Sequence, residues 1–256
     1  MASPLEIARR LPPFAAYLGY RVLRAGLTVP ESVRFLLNRS RYSRLTGAEP
    51  LRIRDTFPKV GDRMLSTPFD THYLYQDTWA AQRIAEVRPG RHVDVGSRVE
   101  FACFSTAICP VEFVDIRPLE AKIEGLTSTA GSVLELPFET HSLDSVSCLH
   151  VVEHVGLGRY GDPLDPLGTV KAIAELARVV APGGRLLLST PVGRERVCFN
   201  AHRVSNPFKI PEICAELELV EFAGVDDSGK FARRRSLSEL ADQSYACGMY
   251  DLRRPA

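Results

Sequence analysis

The central part of the chain alternates short apolar runs with segments of helical periodicity. Residues 92–95 and 111–114 are runs rich in β-branched side chains that end at Gly96 and Asp115, and residues 143–152 contain a longer, nearly continuous apolar run. Residues 73–87 and 169–180 have apolar side chains at helical spacing and are followed by Pro-Gly pairs, which stop helices. This alternation predicts an α/β fold: a Rossmann-like, doubly wound, mostly parallel sheet with helices on both faces.

The first 60 residues follow a different pattern. Pro30 opens a predicted helix at residues 31–38, and an earlier helical face is formed by Ile7, Leu11, Phe14, Leu18 and Val22. Eleven arginines and lysines stand against four acids here, a net charge of +7, which leaves −6 for the rest of a chain whose formal charge is +1. We interpret residues 1–60 as a basic helical extension that packs as a lid with solvated arginines. Peripheral contact with an anionic membrane, or a grip on a phosphate-bearing substrate, is the alternative.

The C-terminal part gives weaker signals. Residues 210–217 are predicted to be helical and residues 219–222 to form an edge strand, and a tail containing Arg233, Arg234 and Arg235 follows. The predicted organisation is therefore the extension at 1–60, a main domain at 61–225 and a C-terminal appendage at 226–256.

Composition narrows the class of protein. The chain is 45% hydrophobic and 25% charged, which is ordinary for a globular protein. Its six cysteines form no C-x-x-C pair and are interpreted as free thiols in a reducing compartment, and no apolar run is long enough to span a bilayer. A cytoplasmic protein is expected. The basic segment lacks the interleaved aromatic residues of a nucleic-acid platform, so no nucleic-acid partner is expected.

The two strands around Gly96 predict a ligand site. In a parallel β–α–β unit the ligand lies beyond the carboxyl ends of the strands, where a glycine allows close approach and an acid about twenty positions on binds a ribose diol. Asp115 follows Asp94 by 21 positions. The alternative role for Asp94 is to stabilise the turn through local backbone amides.

Six motifs in order resemble the class I S-adenosylmethionine-dependent methyltransferases. They cover residues 75–192 and read HVDVGS, VDIRP, GSVLELPF, SLDSVSCLHVVEHV, RVVAPGG and RLLLSTP. More narrowly, HVVEHVGLGRYGDPLDPLG with the later VCFNAHR is similar to an uncharacterised family, domain of unknown function 268, within that superfamily. The resemblance implies methyl transfer from S-adenosylmethionine to an oxygen or nitrogen of a small polar or glycan-type acceptor.

The resemblance also implies which residues contact the cofactor. Asp94, Gly96 and Ser97 would face its methionine end, and Asp115 its ribose, with Ile116 beside it. The adenine would be flanked by Ser132, Val133 and Leu134, and the floor beneath the sulfonium would be Leu149 and His150. The chain departs from the family where residues 97–100 replace the further glycines of the turn and where Ser132 replaces an acid. These departures favour the alternative function, a degenerate domain that serves as a binding or scaffold protein.

The sharpest local motif is His150-Val151-Val152-Glu153-His154. It matches H-x-x-E-H, a zinc peptidase motif, but that motif needs a helix and this one follows a strand, so a peptidase is a distant third hypothesis. Some small-RNA methyltransferases carry E-x-x-E-H here with a later histidine and bind a divalent ion. Glu153, His154 and His202 resemble that set, and a mixed set would suit Zn, Mn or Fe. The favoured interpretation is a metal-free catalytic role for His154, Glu153 and His202.

The loop at 156–166 is dense in turn-forming residues. Arg159 and Tyr160 within it are the predicted contacts to a polar or anionic substrate, and a purely structural turn is the alternative.

Overall fold

The computed structural model of the chain describes residues 29–59 and 62–256. The chain divides into two compact units, Met1–Phe69 and Asp70–Ala256, so the division falls later than the one predicted after residue 60. In the first unit, residues 29–42 form helix α1, which contains the helix predicted at 31–38. The apolar face predicted from Ile7 to Val22 lies outside the described residues. Among the residues described, no helix is long and apolar enough to cross a bilayer, and peripheral membrane contact stays a prediction.

One eight-stranded sheet forms the centre of the second unit. Its strands in chain order are β1 His92–Val95, β2 Val111–Asp115, β3 Leu126–Ala130, β4 Leu143–Leu149, β5 Val180–Val192, β8 Glu218–Val225, β9 Phe231–Ala232 and β10 Ala246–Arg253. The spatial order is β3-β2-β1-β4-β5-β10-β8-β9. The first five of these are parallel, whereas β10 is antiparallel to β5 and β8. Strands β6 Arg196–Cys198 and β7 His202–Val204 form a separate hairpin.

Helices cover the sheet on both faces. They are α2 Thr71–Val87, α3 Val99–Ser105, α4 Gly168–Val179, α5 Lys209–Ile213 and α6 Ser238–Ala241. Alternate residues of β5 show the two faces: Leu186 and Leu188 pack in the cluster that includes Ile173 of α4, while Leu187 packs in the cluster that includes Trp79 of α2. Five neighbouring strands are parallel and helices pack on both faces of the sheet, so the predicted mostly parallel α/β fold is confirmed.

Helix α2 begins where the sequence supplies a cap. The side chain of Asp70 accepts hydrogen bonds from the backbone N–H groups of His72, at 3.0 Å, and Tyr73, at 3.1 Å, which are unsatisfied donors in the first turn. The helix ends at Arg88, whose backbone is left-handed, directly before Pro89. This cap fixes His72 and Tyr73 at the edge of the sheet.

The prediction of a C-terminal appendage at 226–256 was wrong. Residues 246–253 form β10, which lies inside the sheet between β5 and β8 and is almost entirely buried. Strand β8 is therefore an interior strand, and β9 rather than residues 219–222 forms that edge. The helix predicted at 210–217 is shorter, Lys209–Ile213.

Candidate functional site

A pocket opens at the carboxyl ends of β1, β2 and β4. Its volume is about 730 Å³, a figure that includes open solvent at the mouth. Several residues predicted to bind the cofactor line it: Gly96, Asp115, Ile116, Ser132, Val133, Leu134 and His150. Of the predicted catalytic and substrate residues, His154 and Tyr160 line it as well. The parallel sheet thus brings together side chains that are distant in sequence.

The turn after β1 closes on Asp115. Gly96 has φ +68°, and a Cβ at this position would lie 3.2 Å from a methyl group of Val151 and 3.6 Å from Asp115 Oδ2. Asp115 Oδ1 accepts a hydrogen bond from the Arg117 backbone N–H at 2.7 Å, while Oδ2 lies beside the Gly96 turn. The glycine is needed here because the left-handed backbone and the close approach both disfavour a side chain. The arrangement presents a carboxylate oxygen to a ligand in the pocket.

The far side of the pocket is apolar. Ile116, Val133 and Leu134 form a flank suited to a flat, weakly polar ring. The Ser132 hydroxyl accepts a hydrogen bond from the Leu134 backbone N–H at 3.1 Å, which closes the turn that presents these side chains. Ser132 therefore shapes this wall in place of a carboxylate.

Asp94, Ser97 and Leu149 lie beneath the pocket instead of facing it. Asp94 is fully buried and accepts hydrogen bonds from the Ser97 backbone N–H, the Ser97 hydroxyl and the Ser147 hydroxyl. The Ser97 hydroxyl also accepts the Leu149 backbone N–H at 2.9 Å. This is the turn-stabilising role that was the alternative for Asp94, and it ties the end of β1 to the end of β4.

The polar network extends to a buried histidine. The two ring nitrogens of His92 lie 2.7 Å from the Ser145 hydroxyl and 2.8 Å from the Ser147 hydroxyl. Burial lowers the pKa of His92 to about 3, so its imidazole is neutral. Burial also raises the pKa of Asp94 to about 7, although the hydrogen bonds from Ser147 and Ser97 act in the opposite direction.

Replacing Asp94 with asparagine is expected to remove a pH-dependent loss in the free energy of unfolding. The raised pKa means that the folded state keeps the Asp94 proton from about pH 4 to about pH 7 while the unfolded state loses it, so the wild type loses up to roughly 4 kcal/mol from this group over that range. The Asp94→Asn variant should therefore gain stability relative to the wild type as the pH rises. Urea unfolding, followed by the fluorescence of the single tryptophan, Trp79, measures the difference. If the difference in unfolding free energy between the variant and the wild type does not change with pH, the raised pKa of Asp94 is contradicted.

His150 and Glu153 form a buried pair beside the pocket. His150 Nδ1 lies 2.8 Å from Glu153 Oε1, and both side chains are almost completely buried. Burial lowers the pKa of His150, but the Glu153 carboxylate and Cys247 raise it more, so the pKa lies well above its ordinary value. Burial raises the pKa of Glu153, but the attraction and hydrogen bond of His150, together with the attraction of His154 and a backbone hydrogen bond, lower it below its ordinary value. Within the described chain, His150 Nε2 and Glu153 Oε2 have no hydrogen-bond partner.

His154 presents one ring nitrogen to the pocket. Its Nδ1 lies 2.6 Å from the Ala201 carbonyl oxygen, so Nδ1 carries the proton and donates, and Nε2 is left with its lone pair. Arg159 donates to the same carbonyl at 3.2 Å, and the Tyr160 ring lies edge-on to His154 at 6.0 Å. His202 is half-buried against Tyr245, with ring centroids 5.0 Å apart, and burial lowers its pKa.

Tyr160 lies close to two arginines. The guanidinium carbons of Arg117 and Arg159 are 5.0 Å and 5.1 Å from its ring centroid. The adjoining turn is held by Asp162, which accepts hydrogen bonds from the backbone N–H groups of Gly156 and Tyr160 at 2.7 Å and 3.2 Å. The loop thus has a structural role and also places polar side chains at the mouth of the pocket.

The H-x-x-E-H sequence does not lie on an α-helix. Its first histidine follows β4 with a left-handed backbone, and residues Val152–His154 form one 3₁₀ turn. The peptidase hypothesis therefore lacks its structural basis. The set Glu153, His154 and His202 does not assemble as a ligand group in the part of the chain that the structure describes. The group of three that does assemble is His72, His150 and Cys247.

Sequence reasoning missed the residues that surround His150 at the carboxyl end of β4. The rings of His72 and Tyr245 stack at 5.2 Å, and Tyr73 lies 5.4 Å from His150. The one available signal was the Asp70 cap, which places His72 in the first turn of α2. Tyr245 and Cys247 gave no signal because the residues around the start of β10 were interpreted as a tail.

Comparisons with known proteins agree with this geometry. Residues 135–242 match the family described as "Caenorhabditis protein of unknown function, DUF268", and no curated protein matches the chain. Similar solved structures include the N-methyltransferase NodS of Bradyrhizobium japonicum in complex with S-adenosyl-L-homocysteine, at 18% identity and a TM-score of 0.51 over 72% of this chain and 88% of that one. Geranyl diphosphate methyltransferase in complex with SAM has 14% identity and a TM-score of 0.52 over 70% and 84%.

The same architecture also occurs in a cyclase. The [4+2]-cyclase SpnF has 14% identity and a TM-score of 0.50 over 70% of this chain and 82% of that one. Likeness at these identities shows the fold alone, and function has to be argued from the pocket.

Proposed function

We propose that this chain transfers a methyl group from S-adenosylmethionine to an oxygen or nitrogen of a small polar acceptor. Its fold is similar to that of class I methyltransferases, and residues 135–242 match the DUF268 family. The observation that carries the proposal is the position of Asp115. Its carboxylate stands at the end of β2, beside the left-handed Gly96 turn and in a pocket with an apolar far wall. A carboxylate in this position suits the two hydroxyl groups of a ribose.

The remaining pocket residues fit the other parts of such a cofactor. Ile116, Val133 and Leu134 would contact the adenine ring, and the end near Gly96, Val151 and His150 would hold the methionine part. The Val151 methyl groups lie beside Gly96 at this end of the pocket. When bound, S-adenosylmethionine supplies an electrophilic methyl group.

His154 is the proposed base. Because its Nδ1–H donates to the Ala201 carbonyl, the lone pair on Nε2 is available to accept a proton from a hydroxyl or an ammonium group of the acceptor. Glu153 Oε1 lies 3.7 Å from Nε2 and stabilises the charge that the ring gains. Positioning of the acceptor supplies most of the remaining rate enhancement that such a transfer needs.

Tyr160 and its two arginines are proposed to bind the acceptor. A tyrosine ring with two guanidinium groups close to it offers a polar and positively charged mouth, which suits an acceptor that carries hydroxyl groups, phosphate or carboxylate. A glycan-type acceptor meets this description.

S-adenosylhomocysteine is expected to raise the melting temperature of the purified chain. A ligand at a hundred times its dissociation constant adds about 2.7 kcal/mol, which corresponds to about 5–10 °C for a domain of this size. Differential scanning fluorimetry with S-adenosylhomocysteine, S-adenosylmethionine and, as a control, ATP measures the shift. If neither adenosyl compound shifts the melting temperature at millimolar concentration, the enzyme proposal fails and the binding or scaffold function takes its place.

A further inference from the structure

Three potential metal ligands meet beside the pocket. One donor atom each from His72, His150 and Cys247 lies within 4.8 Å of the other two. His150 and Cys247 are buried and His72 is half-buried. These residues come from the start of α2, the end of β4 and the start of β10, so only the folded sheet brings them together. We propose that His72, His150 and Cys247 bind a zinc ion.

The unpartnered nitrogen of His150 points to a missing ligand. The His150 side chain is only 4% exposed, and Nδ1 is bonded to Glu153, so Nε2 is the atom that remains for the group with His72 and Cys247. No described residue makes a hydrogen bond of normal geometry to Nε2, and the side chain that interacts with His150 on this side is Cys247, the other buried member of the group. A buried polar atom without a good hydrogen bond destabilises the folded state, and coordination to a metal ion would remove that destabilisation.

Glu153 completes the arrangement found at many metal sites. A histidine that binds a metal through one nitrogen commonly donates from the other to a carboxylate, which orients the ring and makes it a better ligand. The Glu153–His150 contact at 2.8 Å has this form. His72 is oriented too, since its ring stacks on Tyr245 and lies 5.6 Å from the His150 ring.

The donor types favour zinc over magnesium or calcium. Two imidazoles and a thiolate are soft or intermediate ligands, and zinc binds both in tetrahedral sites, whereas magnesium and calcium require oxygen. Zinc would displace the protons of His150 Nε2 and of the Cys247 thiol into solvent, and the thiolate and the Glu153 carboxylate would then offset the charge of the divalent cation. Metal binding would replace only a weak interaction of the Cys247 thiol with Gln76, since the distance from Sγ to Gln76 Oε1 is 4.0 Å.

Three protein ligands leave one tetrahedral position for water or for a heteroatom of the acceptor. His150 lines the methyltransferase pocket as well, so the ion would lie next to the acceptor. This role in holding the acceptor rests on the proposed function, whereas the metal site itself does not.

The test is metal binding by the full chain, measured without any cofactor. After zinc loading and gel filtration, about one zinc per chain is expected by elemental analysis, and cobalt substitution should give the thiolate-to-cobalt absorption of a tetrahedral site. Cys247→Ser should abolish that absorption and His72→Ala should reduce bound zinc below about 0.1 per chain. Glu153→Gln should weaken zinc binding about 10- to 100-fold while leaving the three ligands in place.

Matched controls keep the ligands intact. Cys103→Ser replaces a half-buried cysteine outside the group, and His141→Asn replaces an exposed histidine whose left-handed backbone asparagine tolerates. Both should bind zinc like the wild type. Wild-type protein that stays metal-free under zinc excess, cobalt binding without thiolate absorption, or full zinc binding by Cys247→Ser would each overturn the proposal. Because S-adenosylhomocysteine is absent throughout, these outcomes are distinct from a failure of the methyltransferase proposal.

Discussion

Replacing Asp115 with alanine is expected to weaken the binding of S-adenosylhomocysteine at least about 100-fold. A hydrogen bond to a charged group contributes about 1.5–3 kcal/mol, and the carboxylate would accept two from the ribose, so the loss is about 3 kcal/mol or more. Asp115 lines the pocket with Oδ2 beside the Gly96 turn. Isothermal titration calorimetry of the wild type and the Asp115→Ala variant gives the two dissociation constants.

Two further variants separate ligand binding from loop structure. Asp115 Oδ1 also accepts the Arg117 backbone N–H, so alanine could act by loosening the loop. Asp115→Asn keeps an oxygen for that contact and loses the charge, and we expect it to weaken binding about 10-fold. Glu120→Ala removes an exposed acid of the same loop and should bind like the wild type. An Asp115→Ala variant that binds within about threefold of the wild type would refute the ribose assignment.

Strands β1, β2, β4 and β5 of the parallel half were predictable because they are largely buried, whereas β3, which is only partly buried, was not predicted. Valine and other apolar side chains recur along β1, β2 and β4, so these strands stand out in the sequence, and Gly96 and Asp115 mark where two of them end. Since the carboxyl ends of parallel strands lie at one edge, the residues after them were expected to meet there. The pocket contains most of these residues.

Strand β10 could not be predicted from its local pattern. It is almost fully buried and yet contains Gly248 and Asp251, which are unusual in a central strand. Asp251 is accommodated through an ion pair with Arg185 on the neighbouring β5, at 2.9 Å, a contact that exists only after the two strands pair. The position of β10 between β5 and β8 is set by tertiary packing, and Cys247 reaches the edge of the site only because of it.

The candidate site was predictable to the extent that it depends on strand ends. The sequence HVDVGS could not show that Ser147 of another strand would bond to Asp94 and hold its carboxylate inside the core. It also could not show that His150 and Glu153 would pair with each other, because this depends on the left-handed backbone of His150 and the 3₁₀ turn that follows. The roles assigned to His154, Glu153 and His202 stay predictions.

Replacing Trp79 with alanine is expected to destabilise the fold by about 4–5 kcal/mol. Truncation of a buried aromatic side chain to alanine removes its transfer free energy and leaves a cavity. Trp79 is 1% exposed and packs between α2 and the sheet, among residues that include Leu187 and Met249. Its Nε1–H also donates to Glu221 Oε1 at 3.0 Å. Because the variant has no tryptophan, urea unfolding should be followed by circular dichroism.

The Trp79→Phe variant separates the contribution of packing to this loss of stability from the contribution of the hydrogen bond. Phenylalanine fills most of the space but leaves Glu221 without the indole donor. Burial raises the pKa of Glu221, and Arg233 and Trp79 together lower it below its ordinary value. Arg233 still contacts both carboxylate oxygens, at 3.1 Å and 2.8 Å, so the charge keeps a partner and the loss should be about 1–2 kcal/mol. Equal destabilisation by phenylalanine and alanine would mean that the hydrogen bond to Glu221, and not the filling of the core, holds α2 against the sheet.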